Sequence, residues 1–439
     1  MTNTRIFSAL ALLSLAACVG LGGCGPTDSN SGNASGGGGG GARSAAAGGS
    51  SAQAPESAGK GSEKSPAAAP AAAPAAAPAA APAAADEILI GHYASMTGSE
   101  ATFGQVTDKG IRLAVEKVNA AGGIKGKKVR VVTLDTEGKE SVTTTVVTRL
   151  ITSDKVVALL GEVASSRSIA GANVAQRFGI PMITPSSTNP EVTTKGDKIF
   201  RVCFLDPFQG YVMAKFAREN LKLSKVATLY DQKQPYSTGL NDNFKEAFTK
   251  LGGTVVAEQA FSGGDADFSA QLATIRDRGA EAIFVPGYYT EVGNIAIQAR
   301  KLGVTVPLLG GDGWESPKLA EIGGKAIDGS YYSNHYSPSD TREEVVKFVS
   351  EFQSKHGGEV PDSLAAMGYD AAMVLFDAMK RSPSLGGADL AKAIAATKDF
   401  KGVSGMISID AERNARKSAV VLQMRKGKAE YVTTIAPQQ

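Results

Sequence analysis

Cysteine, histidine and tryptophan are scarce in this chain: three, three and one among 439 residues. The cysteines stand at 18, 24 and 203, so there is no CxxC pair, and the count alone excludes a disulfide framework. His92, His335 and His356 have no metal-ligand spacing, which leaves no zinc motif. Charge of one sign is lacking too. The formal net charge is +3, and no basic cluster interleaves with aromatics, so nothing points to nucleic acid as a partner. Neither GxGxxG nor GxxxxGK[ST] follows an apolar run, and no GxSxG elbow is present. These absences argue against an enzyme and against a metal or cofactor. Cys203, inside the run Ile199 to Phe204, reads as a buried free thiol.

What is present begins with a targeting signal: one positive charge at Arg5, then an apolar run from Ile6 to Leu21 that is short for a membrane span. Residues 25–86 are low complexity and cannot build a core. A Gly/Ser/Ala part is followed by prolines at 66, 70, 74, 78 and 82, each separated by three alanines. Proline at every fourth position removes helix donors and clashes with the preceding turn, so the repeat is expected to run as a polyproline II stalk, about 3.1 Å per residue.

From Glu87 the pattern changes to alternation. The apolar run Ile88 to Ile90 precedes helical spacing over Phe103 to Ala121, and Val129 to Leu134 is β-branched again. A helix over Ser141 to Thr152 precedes a strand over Val156 to Leu160. Later strands at Lys225 to Tyr230, Gly253 to Ala260, Ala282 to Pro286 and Val306 to Leu309 alternate with helices near Phe208 to Leu221, Thr238 to Leu251, Phe268 to Arg278 and Thr290 to Leu302. The tail adds helices at Glu343 to Lys355, Ser363 to Lys380 and Ala388 to Thr397, then β-rich segments near 405–409, 419–425 and 429–434. Strand, helix, strand, repeated over this length, predicts an α/β protein of two doubly wound parallel-sheet lobes facing each other across a cleft.

The stretch Gly161 to Pro190 is central to the function. It holds two hydroxyl-rich loops, Ser165-Ser166 and Ser186-Ser187-Thr188, each after an apolar run that reads as a buried strand. Ligands of open parallel sheets bind at the carboxyl ends of the strands, where a loop that opens a helix offers N–H groups to an anion. This is a candidate seat for a carboxylate, although such residues also serve as N-caps and turn formers.

Several segments together resemble the substrate-binding proteins of branched-chain amino acid ABC transporters: Gly91, Ser95 to Gly98, Phe103-Gly104, Val118 to Gly126, Asp135, the central stretch, Arg201 and Gly303 to Asp312. The resemblance covers Glu87 to about Val432, and the closest named type is the leucine/isoleucine/valine-binding protein. It implies a type I periplasmic-binding-protein fold with three crossovers between lobes, and a division into 87–206 plus about 337–404 for lobe 1 and 207–336 plus about 405–436 for lobe 2. It also implies that Ser165 holds the ligand carboxylate, that Ser186 and Ser187 supply backbone contacts, and that Thr188 bonds both carboxylate and ammonium. Tyr236 with Tyr288 or Tyr289 would cover the ligand, Asp312 would take the ammonium, and Phe103 would face the ligand side chain. Asp312 stands where the leucine/isoleucine/valine type has Glu, Trp314 follows it, and Ser-Ser replaces Ala-Ala before Thr188. Members of the family also take amides, urea-like compounds and aromatic acids, which keeps the choice of ligand open, and a ligand-sensing protein shares the fold. Tyr236, Tyr288, Tyr289 and Trp314 could equally be core aromatics, and Asp312 a turn residue.

The implied partners are an amino acid, a separate permease and ATPase, and a membrane held through a lipid anchor, with the folded part a monomer outside the cytoplasmic membrane. Two tetrads in the signal resemble a lipobox, ending at Cys18 and at Cys24. Cys24 is the better acceptor because the chain turns polar directly after it, making 1–24 the signal peptide. Mass spectrometry of the mature N-terminal peptide is expected to find the lipid on Cys24; an unmodified N-terminus farther along the chain excludes the anchor.

Overall fold

The computed structural model describes residues 87–437; the signal, Cys24 and the Ala/Pro repeat lie outside the described residues. The chain first builds a five-stranded sheet from β1 (Glu87–Ala94), β2 (Lys128–Asp135), β3 (Ala158–Leu160), β4 (Met182–Thr184) and β5 (Ile199–Arg201). The order is β2-β1-β3-β4-β5 and every pairing is parallel. The connections are helices α1 (Ala101–Ala120), α2 (Glu140–Thr152), α3 (Ser165–Phe178) and the single turn α4 (Glu191–Thr194). A parallel strand needs such a crossover and is covered on both faces, which explains the continuous apolar run of β1. Its two-residue period divides the core. Ile88 and Ile90 join the cluster containing Ile111 and Ala114 of α1, while Leu89 and Tyr93 join Val147 and Leu150 of α2 and Ala172 and Ala175 of α3.

The second sheet has seven strands in the order β14-β13-β10-β9-β8-β6-β7. Its parallel part comprises β6 (Lys225–Asp231), β7 (Thr254–Phe261), β8 (Ala282–Phe284), β9 (Leu308–Gly310) and β10 (Tyr331–Asn334). Helices α5 (Asp206–Lys215, extended by a π-helical turn over Phe216–Asn220), α6 (Pro235–Lys250), α7 (Ser269–Asp277), α8 (Tyr289–Lys301) and α9 (Pro317–Gly323) accompany it. After β10 the chain forms α10 (Glu343–Lys355), α11 (Ser363–Arg381), which packs on α1, and α12 (Gly387–Ala395). A hairpin of β11 (Phe400–Gly402) and β12 (Gly405–Ile407) follows, then β13 (Ala419–Arg425) and β14 (Lys428–Ile435) complete the second sheet antiparallel. The chain therefore crosses between the sheet systems after β5, after β10 and before β13. No helix among the described residues is long and apolar enough to cross a membrane. Cys203 is a buried free thiol, its pKa pushed up to about 12 by burial.

Some elements depart from expectation. The helix expected over Phe208 to Leu221 starts two residues earlier, at Asp206, and is α-helical only to Lys215. β5 and β10 were not signalled: the first is three residues long, and the second reads Tyr-Tyr-Ser-Asn, with no aliphatic run. The lobe boundary expected near 404 falls inside the β11–β12 hairpin.

The crossing of α1 and α11 depends on two glycines. A Cβ at Gly110 would stand 2.0 Å from the Ala365 carbonyl oxygen, and one at Gly368 2.6 Å from that of Thr107, so both helices approach backbone to backbone. Backbone cannot swing aside as a flexible side chain can. Gly110→Val is expected to destabilise the fold by about 1 to 3 kcal/mol or more through overpacking, seen as a lower midpoint in chemical unfolding. An unchanged midpoint would mean that the pair separates without cost.

Candidate ligand site between the lobes

The first sheet contributes two turns at the carboxyl ends of its strands. After β3 the chain enters α3 at Ser165 with Ala164 extended and no side chain capping the helix. The first-turn N–H groups, at the positive end of the helix dipole, thus have no side-chain cap among the described residues. Ser165 is buried, and its Oγ accepts from Asn189 N at 3.3 Å. In the turn after β4, Ser186 Oγ and Thr188 Oγ1 are buried without a hydrogen-bond partner among the described residues.

Ser187 corrects the sequence reading. Its N–H donates to Thr184 Oγ1 at 3.1 Å, its hydroxyl lies 2.8 Å from the Val163 carbonyl and 2.9 Å from that of Glu162, and its own carbonyl accepts from Arg201. The groups expected to contact a ligand are already committed within the loop. Arg201 is the loop's support. Fully buried, it also donates to the Asn189 carbonyl at 2.8 Å and to Asn414 Oδ1 at 2.6 Å.

The second sheet supplies the opposing wall. Asp312, in a single 3₁₀ turn after β9, is buried and gathers three donors: Gln209 Nε2 at 2.8 Å and Tyr236 OH at 3.1 Å on Oδ1, and His335 Nε2 at 2.8 Å on Oδ2. Burial lowers the pKa of His335, so the ring is neutral and Nε2 carries the donated proton, leaving Nδ1 without a partner. Tyr236 also accepts from Gly313 N at 3.1 Å and stacks on Tyr288, ring centres 5.4 Å apart and planes within 5°. Phe103 reaches over from α1 to meet Tyr288 and Tyr289 edge-on, at 5.5 and 5.1 Å. The Tyr288 hydroxyl is buried and has no hydrogen-bond partner among the described residues. Of the aromatics named from sequence, Phe103, Tyr236, Tyr288 and Tyr289 form one contiguous surface.

Trp314 does not join it. Its indole is fully buried, Nε1 donates to the Val285 carbonyl at 2.9 Å, and the ring lies against Gly310 and near Tyr332. It is a core residue beneath the Asp312 turn. The lobes also touch directly: Asn189 Nδ2 donates to the Pro235 carbonyl at 2.8 Å, Thr290 Oγ1 to the Ser99 carbonyl at 2.8 Å, and Thr102 and Ser316 hydroxyls lie 2.9 Å apart.

Sequence reasoning missed Asp206. It opens α5 where the chain first crosses between lobes, with its N–H donated to the Thr188 carbonyl at 3.0 Å, and neither carboxylate oxygen has a hydrogen-bond partner among the described residues. Burial pushes its pKa up to about 8. The Asp312 charge adds to the rise, against the pull of the neighbouring Thr188 hydroxyl and of Arg201. The available signal was Asp-Pro at a helix start with Gln209 three residues on, one turn apart on the same face. His335, on a crossover, carried no local signal at all.

The family model for periplasmic binding proteins matches residues 87–434. A Leu/Ile/Val-binding protein homolog 2 of Brucella abortus is 31% identical over 348 residues, 78% of this chain and 91% of that protein. Among solved structures, the leucine binding protein LivK of Thermotoga maritima is 40% identical, with a TM-score of 0.77, over 80% of this chain and 99% of that one. The LivJ substrate binding protein of Streptococcus pneumoniae, in complex with isoleucine, is 34% identical with a TM-score of 0.74, over 79% and 99%. A family match across most of the length, on two parallel-sheet lobes linked by three crossovers, means that the chain belongs to the periplasmic binding protein family and has its type I fold.

Proposed function

We propose that this protein captures an amino acid, branched-chain or otherwise apolar, between its lobes outside the cytoplasmic membrane and delivers it to the permease and ATPase of an ABC importer. In this reading a lipid on Cys24 holds it to the membrane and the low-complexity stretch spaces the folded part from the surface. One observation carries the choice of ligand class. An uncapped helix N-terminus with the Ser165, Ser186 and Thr188 hydroxyls lies on one side, Asp312 lies on the other, and a second buried carboxyl, Asp206, stands beside Thr188 on the first crossover. A zwitterion presents one charge to each: its carboxylate suits the N–H groups of α3 and the Ser165 hydroxyl, and its ammonium suits the acid pair. A neutral amide or a simple carboxylate offers the acid pair no positive partner and forgoes the charge-assisted hydrogen bonds that an ammonium makes there. The Phe103 and Tyr289 rings supply the apolar face for an aliphatic side chain. Binding proteins of this kind only capture and release, so no reacting group is required.

Two measurements follow. Removing one partner of a buried ion pair typically costs about 3 to 5 kcal/mol; with Asp206 still present the loss should sit at the low end, so Asp312→Asn is expected to weaken L-leucine by roughly a hundredfold in calorimetric titration. Ser165→Ala removes one hydrogen bond to a charged group and should cost less, about tenfold. Leucine binding unaltered in Asp312→Asn would reduce Asp312 to a turn residue. The second measurement concerns protons. With a pKa of about 8 the free Asp206 carboxyl is mostly protonated at pH 7. An ammonium beside it favours the ionised form, so binding at pH 7 should release up to one proton, and affinity should rise as pH climbs from 6 toward 8. Titrations in buffers of different ionisation enthalpy read the released proton; no release at pH 7 would place the ammonium away from Asp206.

A further inference from the structure

A cavity of about 470 Å³ opens beside the tyrosine stack, lined by residues that follow β6, β7 and β8. Its lining includes the carboxylates of Glu100, Asp231, Asp265 and Glu291, and no lysine or arginine. Glu100 is already paired with the buried Arg167, which also holds Glu162 at 3.0 Å. The other three make no ion pair with any cationic side chain among the described residues. Asp231 spends one oxygen on the Lys233 N–H at 2.9 Å, and Asp265 one on the Ser262 N–H at 2.8 Å, both as turn bonds. Glu291, in the first turn of α8, is half-buried, and burial together with the nearby Asp231 charge raises its pKa. The cavity is therefore lined by more carboxylates than cations: no lysine or arginine lines it, and the Lys233 charge acts on Asp231 without forming an ion pair with it.

A second, independent feature points to an occupant. Tyr288 lines this cavity and is only 7% exposed, yet its hydroxyl has no partner among the described residues, and Glu100, another lining residue, is the charge that acts most strongly on it, opposed by Arg167. Tyr236 and Tyr288 face both the Asp312 wall and the cavity, so an amino acid seated with its ammonium on Asp206 and Asp312 has the recess within reach of a long side chain. Volumes of several hundred Å³ hold small ligands, and a linear alkyl chain needs far less.

We propose that this cavity is a cation subsite continuous with the amino-acid site, so that the protein accepts side chains ending in an ammonium or guanidinium as well as aliphatic ones. The proposal rests on the amino-acid reading above. The alkyl part of such a side chain would lie along the tyrosine rings, and its terminal cation would meet Glu291 and Asp231 with the Tyr288 hydroxyl beside them.

L-lysine and L-norleucine form the decisive pair, because they differ only in the terminal ammonium. Calorimetric titration of the full chain should show lysine binding at least as tightly as norleucine at low salt, with the advantage shrinking as ionic strength rises. Glu291→Gln, and separately Asp231→Asn, should weaken lysine by about tenfold or more while leaving norleucine within about twofold. Unchanged norleucine binding reports that each variant is folded. Rejection of lysine by more than about tenfold relative to norleucine, or equal weakening of both ligands in the variants, overturns the cation subsite alone. Failure of leucine, norleucine and lysine all to bind overturns the amino-acid reading together with it.

Discussion

A single buried guanidinium ties the ligand loop to the hinge. Arg201 ends β5 with its whole side chain inside the protein and, among the described residues, no carboxylate in ion-pair contact. Its donors go instead to the Ser187 and Asn189 carbonyls of the hydroxyl loop and to Asn414, which lies on the last crossover between the lobes. Asn414 Oδ1 also accepts from Thr193 at 3.0 Å, and Arg413 donates to the Thr193 carbonyl at 2.9 Å, so α4 is drawn into the same knot. A buried cation is tolerated only when every donor is used, which forces the surrounding carbonyls to converge on it. The loop from Ser186 to Asn189 is consequently shaped by what lies beneath it. Ser187 and the Asn189 carbonyl are bonded within it, while the buried Ser186 and Thr188 hydroxyls are left without a partner among the described residues.

The same economy governs the opposite wall. Asp312 gathers three neutral donors, Gln209, Tyr236 and His335, and Asp206 gathers none. Neutral donors stabilise a carboxylate without cancelling its charge, so the pair keeps a net negative potential in a low-dielectric place, where a positive guest interacts strongly. Asp206 is bonded through its backbone to the Thr188 carbonyl and sits on the first crossover, so a guest touching it engages both lobes and the segment between them. A ligand that makes more contacts in the closed arrangement than in an open one shifts the population toward closure by that difference. The interlobe contacts through Thr102, Asn189 and Thr290 are neutral hydrogen bonds, each of modest net worth, so parting the lobes there would break no ion pair.

Much of this architecture was legible because parallel sheets impose strong patterns. β1 and α1 announce themselves by a continuous apolar run and a helical period, since one is buried on two faces and the other on one. β10 escaped because its four residues pack through aromatic and small polar side chains, and periodicity has nothing to register in Tyr-Tyr-Ser-Asn. The candidate site was legible where its proposed residues follow strands, as Ser165, Thr188, Tyr236 and Asp312 do. It was illegible where chemistry comes from the crossovers. Asp206, Gln209 and His335 converge on the cleft only after the chain has changed sheets, and no local spacing encodes that convergence. Trp314 was misjudged for the opposite reason: adjacency to Asp312 in sequence says nothing about which way a bulky ring turns at a 3₁₀ turn, and the ring turned inward onto Gly310.

The glycines around Asp312 show how far composition alone can mislead. Asp beside Gly reads as ordinary turn chemistry, in which glycine supplies a left-handed backbone. Here neither Gly311 nor Gly313 adopts a positive φ. What they supply is room. A Cβ on Gly311 would lie 2.5 Å from the Tyr236 hydroxyl and 2.7 Å from Leu240, and one on Gly313 would lie 2.8 Å from the Gly287 carbonyl oxygen and 2.9 Å from the Tyr288 ring. Bare backbone on both sides of Asp312 lets the stacked tyrosines close down on it, brings the Tyr236 hydroxyl to 3.1 Å from the carboxylate, and lets the Gly313 N–H donate to that same hydroxyl. The turn is thus constrained by the two rings packed on it, and the acid it carries is held at the wall of the cleft by sterics before any ligand contributes.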